Sequence, residues 1–115
     1  MDVKSKKVLV MGAARSGIAA SKFLKAHGAH VILTDIKPAE KMADVEKELA
    51  GSGIETLWGQ QPELKEINPD FIVVSPGIPL NIPPLRLAAK LQIPVISELE
   101  LAYKFSKTPF IAVTG

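Results

Sequence analysis

Three short segments of this chain carry residue types suited to phosphorylated or flat ligands. The first is Gly12-Ala13-Ala14-Arg15-Ser16-Gly17, which follows the apolar run Val8–Met11 and opens a helical pattern. A helix start exposes unpaired N–H groups and the positive end of the helix dipole, so this is a site for phosphate. Gly12 permits a tight turn, and Gly17 lets the helix pack close to the strand. In the full dinucleotide fingerprint a middle glycine brings the backbone against the pyrophosphate. Ala14 holds that position here. Its methyl still allows anion binding through the N–H groups of Arg15, Ser16 and their neighbours, but it argues against a buried dinucleotide. The Arg15 side chain has two readings, beside the phosphates or out in solvent, and arginine chemistry suits both.

The second segment is Thr34-Asp35-Ile36-Lys37, at the end of another apolar run. An acidic residue roughly 20 positions past the glycines accepts a hydrogen bond from a ribose or base in many nucleotide sites. A plain turn aspartate is the competing account. The third is Ser75-Pro76-Gly77-Ile78-Pro79. Two prolines and a glycine make a stiff turn, either a wall for a flat base or a merely structural corner.

The elements that must position these segments show in the hydrophobic pattern. Val8–Met11, Val31–Leu33, Phe71–Val74, Pro94–Ile96 and Phe110–Val113 are continuous apolar runs, with a weaker one at Ile54–Leu57. Continuous runs suit strands covered on both faces, as in a parallel sheet. Helical patterns separate them. Ser16 to His27 has Ala19, Ala20, Phe23 and Leu24 on one face, and Gly28 ends it. Pro38 to Ala50 starts on a proline and carries Met42, Val45 and Leu49, with Glu40, Asp44, Lys47 and Glu48 on a solvated face. Pro84 to Leu91 repeats the scheme. Ser97 and Glu100 form a capping box for a helix running from Glu98 to about Phe105. Ile67–Asp70 and Pro76–Pro84 read as loops. The expected fold is α/β: a doubly wound, Rossmann-like parallel sheet of about five strands with helices on both faces. Ligands of such sheets bind beyond the carboxyl ends of the strands, where strand order reverses.

Composition removes other classes. The 115 residues are 47% apolar, enough for one domain with a real core. A net charge of +2 offers no basic stripe for nucleic acid. With no cysteine, disulfides and thiolate metal sites are excluded. His27 and His30 lack a third ligand at a recognisable spacing and read as surface residues around a turn. Neither a signal peptide nor an apolar run of spanning length is evident, so the expected location is the cytoplasm, away from membranes.

The three loops, in this order, resemble the Mur ligase family, and most of all its branch that adds D-glutamate to UDP-N-acetylmuramoyl-L-alanine in peptidoglycan-precursor synthesis. The shared features are the strand leading into Gly12–Gly17, Asp35 ending the second strand, the Ser-Pro-Gly-Ile turn Ser75–Ile78, and Glu98-Leu99-Glu100-Leu101. The resemblance spans essentially the whole chain. It implies that residues 1–109 are the N-terminal domain that binds the UDP part of the substrate. Arg15 and Ser16 would then meet the diphosphate, largely through backbone N–H groups. Asp35, Ile36 and Lys37 would surround the uracil, with Pro76 and Gly77 on its other side, and Gly12, Ala14, Gly17 and Ser75 would complete the UDP site. It also implies that Phe110-Ile111-Ala112-Val113-Thr114-Gly115 begins the ATP-binding domain, Thr114 and Gly115 opening its phosphate loop. ATP and magnesium would serve the full-length enzyme, with central and C-terminal domains as partners in the same chain. This piece alone, with no cofactor of its own, would bind a uridine nucleotide weakly and not catalyse. Two rival readings compete with this one: an NAD(P)-binding domain of a dehydrogenase or regulatory sensor, and a non-enzymatic module with an empty nucleotide fold.

Overall fold

A computed structural model of the chain describes residues 2–105. Five strands alternate with helices: β1 Lys7–Met11, α1 Arg15–Ala26, β2 His30–Asp35, α2 Ala43–Leu49, β3 Glu55–Trp58, α3 Leu64–Ile67, β4 Phe71–Val74, α4 Pro83–Lys90, β5 Val95–Ser97 and α5 Glu98–Phe105. The strands form one parallel sheet in the order β3-β2-β1-β4-β5. The chain winds outward from β1 to β3, crosses back, and winds the other way through β4 and β5. Order therefore reverses between β1 and β4, as a doubly wound sheet requires.

Alternation along each strand splits the core between the two faces. Val8, Val10, Val31, Leu33, Phe71 and Val73 pack with Ile18 and Leu24 of α1, Leu49 of α2 and Leu101 of α5. Leu9, Met11, Ile32, Ile72 and Val74 pack with Leu64 of α3 and Leu85 and Ala88 of α4. Both faces are covered, which explains why the central strands read as unbroken apolar runs. Burying each such side chain stabilises the fold by roughly 1.5–3 kcal/mol.

The sequence reading is refined at several ends. α1 starts at Arg15, one residue early, with Ala14 as its N-cap. It stops at Ala26, and Gly28 turns the chain at φ +89°. The helix expected from Pro38 is two pieces: a 3-10 turn over Ala39–Met42, then α2. Met42, at φ −107° and ψ 11°, leaves helical geometry between them and is buried in the core. The stretch expected to be a loop from Ile67 starts later, because Leu64–Ile67 forms a single helical turn that Asn68 ends at φ 48°. α4 begins one residue early, at Pro83. The capping box is present: Glu100 N–H donates to Ser97 Oγ at 3.0 Å, and Ser97 N–H donates to Glu100 Oε1 at 3.2 Å. His27 contacts the Phe23 carbonyl oxygen through Nδ1, and His30 contacts Glu55, each at 2.9 Å. The expected strand Phe110–Val113, the boundary after residue 109, and Thr114-Gly115 lie outside the described residues.

One charge assigned to a solvated face is partnered. Glu48 of α2 accepts from Lys22 Nζ at 2.6 Å and from Arg15 at 3.2 Å, tying α2 to α1. The Lys22 hydrogen bond, with the charges of Lys22 and Arg15, holds the Glu48 carboxyl below its ordinary range. A depressed folded-state value lends stability above the unfolded-state range, and that stability is lost as pH falls through the folded value. Glu48→Gln should therefore lower the melting temperature slightly at pH 7, and the difference should shrink as pH falls below the ordinary carboxylate range. Thermal melts of both proteins across that span check this. The gap should also narrow in high salt, since the pair is exposed.

Candidate functional site

The loops that leave β1, β2, β3 and β4 at their carboxyl ends converge at the reversal point. The register sets this up: Met11 lies beside Thr34 on one side and Val74 on the other, and Asp35 lies beside Trp58. Backbone bonds continue past the strands. Gly12 N–H donates to the Thr34 carbonyl at 2.8 Å, Ser75 N–H to Met11 at 3.1 Å, and Gly59 N–H to Asp35 at 2.9 Å.

The glycine loop is shaped by lack of space. Gly12 adopts φ +105°, and a β-carbon there would stand 2.5 Å from Ser75 Oγ. A β-carbon on Gly17 would stand 1.9 Å from the Gly12 carbonyl oxygen. The first turn of α1 thus folds directly onto the turn that precedes it. Ala14, the N-cap, supplies no side-chain hydrogen bond, and the first turn holds no acidic residue. The opening N–H groups of Arg15, Ser16 and Gly17 are therefore left for water or an anion. The Arg15 guanidinium is paired with Glu48 and its side chain is 86% exposed.

Asp35 does structural work. Its Oδ2 accepts from Ala13 N–H at 2.9 Å, and its Oδ1 accepts from Lys37 N–H at 3.0 Å. One bond fixes the glycine loop to β2, and the other closes a tight Asx turn. Each oxygen keeps a further lone pair for a ligand. The third loop is a turn closed by Ile78 N–H to the Ser75 carbonyl at 3.1 Å. The Ser75 hydroxyl donates to Glu98 Oε2 at 2.9 Å and points a longer contact, 3.4 Å, at the Gly12 carbonyl.

A cleft of about 200 Å³ opens among these loops. Gly12, Asp35, Ile36 and Gly77 line it. Ala14, Arg15, Ser16 and Gly17 lie beside it at the head of α1, while Lys37, Ser75 and Pro76 belong to the turns that frame it. Sequence reasoning missed the wall formed by Gln60, Gln61 and Pro62, along with the apolar floor of Met11 and Ile82. The signal for the glutamine wall was available: it follows β3 at the same edge of a parallel sheet. The walls are mostly apolar, and typical small-molecule pockets occupy roughly 300–1,000 Å³. This one is the size of a single flat ring. Among the described residues no group of His, Asp or Glu could hold a metal ion, and no helix is long and apolar enough to cross a membrane.

Three substitutions test the architecture. Gly17→Ala forces a methyl into the Gly12 carbonyl and should cost about 3 kcal/mol or more, read as a lower melting temperature. Asp35→Ala strips two backbone donors of their acceptor and should cost about 1–3 kcal/mol, with Asp35→Asn in between. Denaturant midpoints rank the three.

The chain matches the family model described as "Mur ligase MurD-like, N-terminal domain" over residues 6–97. It is 47% identical over 115 residues to the UDP-N-acetylmuramoylalanine–D-glutamate ligase of Pelotomaculum thermopropionicum, covering 99% of this chain and 25% of that protein. It is 44% identical to the same-named ligase of Bacillus cytotoxicus, again across 99% of this chain and 25% of the other. The chain thus spans about a quarter of the length of the curated relatives it matches. Among solved structures, the chorismate mutase/shikimate 5-dehydrogenase fusion protein from Clostridium acetobutylicum superposes with a TM-score of 0.54 at 16% identity, over 86% of this chain and 44% of that one. SirC, precorrin-2 dehydrogenase, superposes with 0.52 at 18%, over 83% and 45%. At that identity these two share the fold alone. The family match covers most of the sequence and includes the glycine loop, Asp35 and the Ser-Pro-Gly-Ile turn, and on that basis the chain belongs to the MurD-like N-terminal domains of the Mur ligases.

Proposed function

We propose that this domain holds the UDP part of UDP-N-acetylmuramoyl-L-alanine for a ligase that joins D-glutamate to it at the expense of ATP, in the cytoplasm. The observation that carries this reading is the pairing, at the reversal point, of a ring-sized apolar cleft with an uncapped helix start. The uracil lies in the cleft, between Asp35-Ile36-Lys37 and Ser75-Pro76-Gly77. The diphosphate lies on the N–H groups of Ala14–Gly17, where the α1 dipole favours negative charge. Membership of the MurD-like family supports the choice of a UDP-sugar over a dinucleotide, and so does Ala14 in place of the middle glycine.

The chemistry belongs elsewhere in the full-length enzyme. Amide formation of this kind phosphorylates the substrate carboxylate, and the amine of D-glutamate then displaces the phosphate. ATP and magnesium supply the phosphoryl group and its charge stabilisation. The described residues offer no metal-ligating cluster to hold that ion, and Thr114 and Gly115, assigned to the start of the ATP loop, are outside them. This domain's part is positioning: it anchors one end of the substrate so that the far end is presented to the central and C-terminal domains.

Titration of the chain with UDP, followed through backbone amide shifts, checks the proposal. Shifts should concentrate in residues 12–17, 35–37 and 75–77. Shifts confined to other regions would remove the assignment, and a response to NADH with none to UDP would favour a dinucleotide domain. Given ATP, magnesium, UDP-N-acetylmuramoyl-L-alanine and D-glutamate, the 115 residues alone should release no phosphate.

A further inference from the structure

Glu98, the first residue of α5, stands against both loops that flank the reversal point. Its Oε2 accepts the Ser75 hydroxyl proton at 2.9 Å. The same oxygen lies 3.5 Å from where a β-carbon on Gly17 would be, beside the first turn of α1. That turn has neither a side-chain cap nor an acidic residue of its own. Glu98 is also relieved of capping its own helix, because Glu100 takes the Ser97 N–H.

We propose that Glu98 is a positioning residue for nucleotide binding, orienting the Ser75 turn through its hydrogen bond and setting phosphate affinity through its charge. This rests on the uridine-nucleotide reading above. The carboxylate brings negative charge up to the first turn of α1, the positive end of its dipole. An incoming diphosphate meets that like charge across the same turn, a repulsion that salt screens. The two roles separate by substitution. Glu98→Gln keeps a carbonyl acceptor for Ser75 and removes the charge. Glu98→Ala removes both. Ser75→Ala removes the hydrogen bond and keeps the charge.

The experiment titrates the native chain and these variants with UDP and with uridine, at low and high salt, alongside hydrogen exchange of the Ile78 amide that closes the turn. Glu98→Gln should bind UDP about threefold tighter at low ionic strength, lose that advantage at high salt, and bind uridine unchanged. Glu98→Ala and Ser75→Ala should both bind uridine more weakly and exchange the Ile78 amide faster, and Ser75→Ala should keep the native salt dependence. The proposal is overturned if Glu98→Gln matches the native chain in UDP affinity and salt dependence. It is equally overturned if Ser75→Ala leaves uridine affinity and Ile78 exchange untouched, a variant small enough to serve should Glu98→Ala not fold. If native UDP binding shifts the amides of residues 12–17 while the Gln variant behaves as native, only the role of Glu98 falls. If the native chain binds no UDP, the nucleotide reading falls and takes this one with it.

Discussion

There is no room for a side chain at residue 17. The Gly12 carbonyl oxygen occupies the place a β-carbon would take, and much of the site follows from that contact. It brings the head of α1 down onto the end of β1, so the helix dipole points at the mouth of the cleft. It fixes the Gly12 carbonyl, which the Ser75 hydroxyl approaches from β4. Ser75 in turn lies where a side chain on Gly12 would be. Two absent side chains let the glycine loop and the Ser75 turn interlock.

The surrounding loops are held mainly by backbone groups and short polar side chains, with Glu98 reaching in from α5 to the Ser75 turn. Asp35 spends both oxygens on main-chain N–H groups, and the register of β1 with β2 and β4 carries on into the turns. Loops tied in this way would leave little ordering for a ligand to impose. Of the residues lining the cleft, Ile36 is the large apolar side chain left exposed.

Legibility from sequence followed the physics of each element. The central strands were plain because both faces are buried, and the capping box was plain because its chemistry is local. Gly12 and Gly17 were recognisable as a close approach, but the partner of each glycine was not, since that depends on how β1, β4 and α1 stack. The reach of Glu98 to Ser75 spans 23 positions and leaves no periodic trace. Gln60 and Gln61 went unnoticed because nothing in their own composition marks them: they matter only because β3 lies beside β2. The break at Met42 was hidden by a hydrophobic spacing that suits either one helix or two short ones.

The edge strand β3 ends in Trp58, the only tryptophan of the chain. Glu46 of α2 accepts from its indole N–H at 2.6 Å and from the Thr56 hydroxyl as well. The ring is thereby fixed two positions before Gln60 in the cleft wall, and its strand neighbour in register is Asp35. The fold has in effect placed a single optical gauge on the face of the sheet that α1, α2 and α5 cover, clamped by a carboxylate. The emission of that single indole therefore reports on how α2 seats against the edge of the sheet.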